Sequence, residues 1–204
     1  GRHASFMSAH SDQANLHGVN NDQHLPWTYI TDIDSQNTDD IAFKTEAFCS
    51  LMTETALAAD SIPEYVASAV DFCNEQLWGT LTATILVHPD SLKDPQVAAA
   101  VEKAVSELRY GSVCVNTSGA FAYANAVTAW GGHSGQPQHD IQSGIGFVNN
   151  TSLFADGQIQ KSVIRDRFRS FSAQNPLSTR LNYVVRALAH FEAAPSFASG
   201  IGIV

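Results

Sequence analysis

Basic residues are scarce in this chain of 204 residues: 11 Lys and Arg stand against 20 Asp and Glu, a formal net charge of -9. A field of that sign repels phosphate backbones, and no local cluster of Lys or Arg offsets it, so nucleic acid is not an expected partner. Long apolar runs are missing as well. The longest, Leu81 to Val87, is broken by Thr82 and Thr84 and falls far short of the roughly 20 residues that a membrane helix needs. Cysteine is sparse: Cys49, Cys73 and Cys114 are odd in number and widely spaced, which argues against a zinc knuckle or redox dithiol and fits a reducing, cytoplasmic setting. The first residues carry neither a basic-then-apolar leader nor an initiating Met, so the chain is expected to begin inside a longer product or after a tag.

What is present suffices for one substantial core, since 44% of the residues are hydrophobic. Residues 1–25 are polar, rich in His, Asn, Gln and Asp, and read as a poorly defined segment of loops with at most one short helix. Beyond Pro26, Trp27 to Ile30 has strand composition, and a second strand covers Cys49 to Thr55. Ser61-Ile62-Pro63-Glu64 supplies a hydroxyl cap, a first-turn proline and a carboxylate three residues on, which start a helix running to about Leu77. Its Ile62, Val66, Ala69, Val70 and Cys73 recur at helical spacing and are expected to form one buried stripe.

Thr80 to Val87 reads as the next strand, stopped by His88-Pro89. Asp94 and Pro95 then open a helix with the stripe Val97, Val101, Ala104, Val105 and Leu108, which ends before Gly111. Ser112 to Asn116 follows as a buried strand. Strand, helix and strand in this order make a crossover unit, which requires parallel pairing with helices on the sheet. Gly144 to Val148 and Lys161 to Phe168 are strand-like, and Leu181, Val184, Val185, Leu188 and Phe191 mark a last amphipathic helix.

Local constellations point to no complete active site. Gly132-His133-Ser134-Gly135 resembles a serine nucleophile turn, but Gln136 stands where the second glycine should be. His3, His10, His17 and His24 recur every seven residues, two helical turns apart, too far for two of them to share a metal. The pair His133 and His139 shares a Gly-rich loop with Asp140, but no third convincing ligand completes it, so no metal site is expected. Gly144-Ile145-Gly146 and Gly200-Ile201-Gly202 lack the third glycine of a dinucleotide loop.

Several stretches, in order, resemble the aldehyde dehydrogenase superfamily. Lys44-Thr45-Glu46-Ala47-Phe48-Cys49 resembles its Glu-x-Phe-Gly-Pro segment. Asn74 to Ile85, with Trp78-Gly79-Thr80-Leu81, is similar to its helix end, Tyr-Gly-Leu turn and strand. Leu108-Arg109-Tyr110-Gly111-Ser112-Val113-Cys114-Val115-Asn116 is similar to its Gly-x-Val-x-Val-Asn strand, and Ala129 to Gly135 resembles its Gly-Gly loop.

The resemblance covers residues 26–150. It implies a three-layer α/β sandwich with a mostly parallel sheet, of the aldehyde dehydrogenase catalytic-domain type and incomplete. Residues 151–204 are then a divergent strand-and-helix extension.

By the same resemblance Glu46 would bind the nicotinamide ribose of NAD or NADP and Phe48 would pack near its ring, as suits a carboxylate facing two hydroxyls and an aromatic facing a flat ring. Asn116 to Phe121 would face a small-molecule aldehyde, with Asn116 and Phe121 as the substrate-facing positions, and Glu46 and Asn116 would stand at one cleft beneath the sheet. The family reaction has a cysteine thiolate attack the aldehyde, hydride pass to nicotinamide, and water release the acid from a thioester.

Its nucleophile, oxyanion Asn and dinucleotide domain lie upstream of the segments present here. The chain alone is therefore expected to be inactive, without bound cofactor and without a catalytic residue, the parent being a homo-oligomer. Cys49-Ser50 replaces Gly-Pro, which motivates the alternative of a non-catalytic binding or assembly module. A hydrolase using Ser134 is the third reading.

Overall fold

Asp94 illustrates how directly local chemistry sets the architecture: its carboxylate accepts the backbone N–H of Gln96 at 2.8 Å, and a helix starts at the proline beside it. A computed structural model describes residues 1–21, 23–149, 159, 161–167 and 179–196 of the chain. The chain divides into two units, Gly1–Phe168 and Arg169–Val204.

In the first unit the elements run α1 (Arg2–Ala9), β1 (Ala14–His17), β2 (Trp27–Ile33), α2 (Ile41–Lys44), β3 (Leu51–Thr55), α3 (Ile62–Glu75) and β4 (Thr82–Ile85). After a 3-10 turn at Ser91–Lys93 come α4 (Pro95–Glu107), β5 (Ser112–Val115), α5 (Ala120–Ala124), β6 (Trp130–Gly131), β7 (Phe147–Val148) and β8 (Ser162–Arg165). The second unit contains α6 (Thr179–Ala193), on which Val185 and Leu188 are exposed.

The protein is α/β with a parallel sheet. Strand β5 lies between β4 and β8, parallel to both, in the registers Thr82↔Ser112 to Ile85↔Val115 and Ser112↔Ser162 to Val115↔Arg165. The expected crossover is therefore formed, β4 and β5 being joined through α4.

One face of this sheet packs on α3 and α4 through Val70, Val101, Ala104, Val105, Leu108, Val113 and Val115. Every residue expected in the α4 stripe is buried, whereas in the α3 stripe Val70 is buried but Ile62, in the first turn of the helix, is 51% exposed, which corrects the expectation there. Residue alternation puts Thr82, Ser112, Cys114 and Ser162 on the opposite face, where Gly119 and Ala129 approach Thr82 and Ser162. A helix layer matching α3 and α4 is not described there.

A second sheet, β1-β2-β3, is mixed: β1 pairs antiparallel and β3 parallel with β2. Its core is Phe6, Ile30, Ile33 and Phe43, with the Phe43 and Phe72 rings edge to face at 5.1 Å. Here the structure departs from the reading of residues 1–25 as loops, because Phe6 is only 1% exposed and anchors α1 to this core. A lone aromatic among polar neighbours leaves no periodic trace in sequence.

His3 and His10, two histidines of the seven-residue series, take structural partners. His3 Nε2 lies 2.9 Å from Thr28 Oγ1, and His10 is buried between Asp40 Oδ1 at 2.9 Å and Gln13 Oε1 at 3.1 Å. Asp40 in turn caps α2 by accepting the Ala42 N–H at 2.8 Å.

Candidate functional site

In parallel sheets ligands gather beyond the carboxyl ends of the strands, and here that end is closed by Asn116. Its backbone N–H donates to Ile85 O at 2.9 Å, and its Oδ1 accepts the Val87 N–H at 2.9 Å, so one residue ties both strands together as they leave the sheet. The clip needs a left-handed backbone, φ +58°, which Asn tolerates better than other non-glycine residues.

Thr117 is buried, and the chain then turns through Ser118 and Gly119 into the short α5, which leaves Phe121 48% exposed and Ala122 buried. Gly119 is fixed by contact: a Cβ there would lie 2.6 Å from Thr82 Oγ1. That hydroxyl has no oxygen or nitrogen partner among the described residues and lies by the thiol of Cys114. Burial raises the Cys114 thiol pKa, an effect the Thr82 hydroxyl partly offsets.

Toward the α3–α4 face a cavity of about 350 Å³ opens along β4. Its walls are mainly apolar, among them Val66, Val70, Ile85 and Val101, with His88 and Ser91 also lining it. Cys73 lines it as well, and burial raises the pKa of its thiol. Neither Cys73 nor Cys114 is placed as an activated nucleophile, which requires a lowered pKa and access.

The opposite end of the β4–β5 pair is packed backbone on backbone. Gly111 has no room for a side chain, since a Cβ would sit 1.8 Å from Gly131 O. Gln142 Oε1 and Ser143 Oγ accept the N–H groups of Gly79 and Thr80 at 3.2 and 2.8 Å, and His133 N donates to Thr80 O at 3.1 Å. Three of the segments carrying the family resemblance, around Trp78-Gly79, Gly111 and Gly131, thus meet in space.

The sequence reading missed Gln142 and Ser143, whose partners lie 63 positions away. Lys161 was missed too: its ammonium donates to the carbonyls of Val105, Ser106 and Leu108 at the end of α4, and burial lowers its pKa. Burial and the Lys161 cation likewise lower the pKa of His133. Ser134 is exposed on a turn, and no described hydrogen bond joins its hydroxyl to an imidazole.

Glu46 and Phe48 occupy the loop between α2 and β3. Phe48 has a left-handed φ of +48° and is 78% exposed. Arg2 reaches this loop from α1, donating Nη1–H to Glu46 O at 2.8 Å and placing its guanidinium 5.2 Å from the Phe48 ring centre. The Glu46 side chain is exposed, and its carboxylate has no partner among the described residues. Ser50, where the family has proline, ties the loop to Pro26 O at 3.0 Å through its hydroxyl.

Lys44 Nζ bonds Gln76 O at 3.0 Å, and Trp78 N bonds Phe43 O at 2.7 Å, so this loop adjoins the chain entering β4, whereas Asn116 lies past the end of β5. The expectation of one cleft shared by Glu46 and Asn116 is corrected accordingly: they belong to opposite ends of the β4–β5 pair, separated by a four-residue strand of about 13 Å.

No family model, curated protein or solved structure matches the chain. Among the described residues no helix is long and apolar enough to cross a membrane, and no group of three His, Cys, Asp or Glu could hold a metal ion.

Proposed function

We propose that this chain is part of the catalytic region of an aldehyde dehydrogenase-like oxidoreductase, oxidising an aldehyde to a carboxylic acid with NAD or NADP and inactive by itself. The observation that carries the reading is the parallel β4–α4–β5 crossover ending in the Asn116 clip, with the Trp78-Gly79, Gly111 and Gly131 segments packed together at its other end. Strands β4 and β5 and the segments at their ends fall within residues 74–85, 108–116 and 129–135, whose sequence resembles the family.

Glu46 and Phe48 fit the cofactor in kind: an unpartnered exposed carboxylate can accept two ribose hydroxyls, and an exposed ring can lie against a flat heterocycle. When bound, the nicotinamide would supply the hydride acceptor. Glu46 would hold the ribose from one end of the strands, while Asn116 shapes the Thr117–Phe121 loop that would take the far end of the aldehyde at the other; hydride transfer requires contact, so the aldehyde carbon and the nicotinamide would have to meet between the two loops. The nucleophilic cysteine and the walls that complete the cleft belong, on this reading, to additional polypeptide. The parent is then a homo-oligomer in a reducing, cytoplasmic compartment.

A chain extended toward the N-terminus should reduce NAD(P)+ with at least one of a panel of aliphatic and aromatic aldehydes, while the present chain should not. Absence of turnover with every aldehyde, from an extended chain that is folded and contains a Cys-bearing loop, counts against the proposal.

The separation of Glu46 from Asn116 favours a second reading, a non-catalytic module that retains the fold. Calorimetric titration of the extended chain with NAD+ and NADP+ separates the two, binding being required by the first reading and absent in the second.

A further inference from the structure

A bulky residue with left-handed φ is strained, and Phe48 holds this conformation although its side chain is 78% exposed and has little packing of its own. Something else must hold it. Arg2 grips the segment at two points, bonding the Glu46 carbonyl at 2.8 Å and lying over the Phe48 ring at 5.2 Å. The grip has a firm mount, because α1 is fixed to the core by Phe6 and to β2 through the His3–Thr28 hydrogen bond. A guanidinium suits both contacts at once, being a planar donor fork that also stacks on aromatic faces.

We infer that Arg2 is a positioning residue for the Glu46–Phe48 segment: it backs one face of the Phe48 ring and presents the other to a planar heteroaromatic ligand. The nature of that ligand, a nicotinamide-type ring, rests on the proposed function, whereas the clamp itself does not. Loss of Arg2 frees the strained backbone to relax, so the ring and the neighbouring Cys49 move together.

Cys49 makes the clamp measurable in the chain as it stands. It is partly exposed, whereas Cys114 is buried and burial raises the thiol pKa of both Cys114 and Cys73, so iodoacetamide followed by peptide mass spectrometry reads the loop against internal controls. Arg2→Ala should speed Cys49 alkylation by about tenfold and Arg2→Lys by less, because lysine retains a donor and a charge but not the planar fork. In a Phe48→Leu background the effect of Arg2→Ala should shrink to about threefold, the part owed to the carbonyl bond.

Rates at Cys73 and Cys114 should not change, which separates loop opening from general unfolding. An unchanged Cys49 rate in Arg2→Ala, or an undiminished effect of Arg2→Ala in the Phe48→Leu background, overturns the inference. If the alkylation results hold but the extended chain binds neither NAD+ nor NADP+, the cofactor reading fails and the clamp stands.

Discussion

The two larger sheets are stabilised by different means. The β4-β5-β8 sheet lies on two capped helices, and nine buried side chains close its core, from Val70 on α3 to Val115 on β5. The β1-β2-β3 sheet has four buried apolar side chains and depends on polar ties as well: the His10–Asp40 pair, the Asp40 cap and the Arg2 contacts. Apolar burial is non-directional and cooperative, whereas each polar tie can open by itself. The loop proposed to hold the cofactor therefore sits on the sheet that should open first, and the loop proposed to face the aldehyde on the sheet that should open last.

Phe6→Ala should sharpen that contrast most. Removing a phenylalanine that is 1% exposed should cost about 3–5 kcal/mol, and in urea Cys49 should become reactive well before Cys114. Loss of protection at both thiols at one urea concentration would break the comparison.

Gly111→Ala probes the other sheet, where the new methyl would meet a backbone oxygen at 1.8 Å. Backbone cannot yield as a side chain does, so a loss of about 3 kcal/mol is expected in equilibrium unfolding. Gly119→Ala, which meets the movable Thr82 side chain instead, should cost less.

Asp40→Ala removes the α2 cap and the partner of buried His10 together. A loss of about 1–3 kcal/mol is expected, with hydrogen exchange rising in α1, α2 and β1 and unaltered in α4.

The smallest effect concerns pH. Burial raises the Cys73 thiol pKa in the folded protein, so above the ordinary thiol value of about 8.5 the unfolded chain loses a proton that the folded one keeps. Stability therefore falls as pH rises from there toward the folded pKa. Lys161, whose folded pKa is lowered, contributes in the opposite sense, so the test is a difference. The stability of the wild type relative to Cys73→Ala should decline above about pH 8.5 and be flat below it.

The crossover was legible because its signals are local: Asp94, Pro95 and a five-residue stripe define α4, and Gly111 precedes a strand whose burial matches expectation. The N-terminal layer was not legible, because α1 offers one core aromatic, and His3 and His10 find Thr28 and Asp40, 25 and 30 positions away. Of the proposed site, the positions Glu46, Phe48, Asn116 and Phe121 came only from the family resemblance. Their separation could not be read from sequence, since it follows from how Lys44 and Trp78 meet the chain on either side of α3. Arg2 had no signal at all, its partner being 44 positions distant.

The most direct measurement is steady-state kinetics of the extended chain carrying Glu46→Gln or Phe121→Ala, with the proposed cofactor and aldehyde varied separately. The account predicts that Glu46→Gln raises KM for NAD(P)+ by about tenfold with little change for the aldehyde, and that Phe121→Ala does the reverse. Both substitutions acting on the same KM, or neither acting on any, would contradict the division of cofactor and aldehyde between the two ends of the strands.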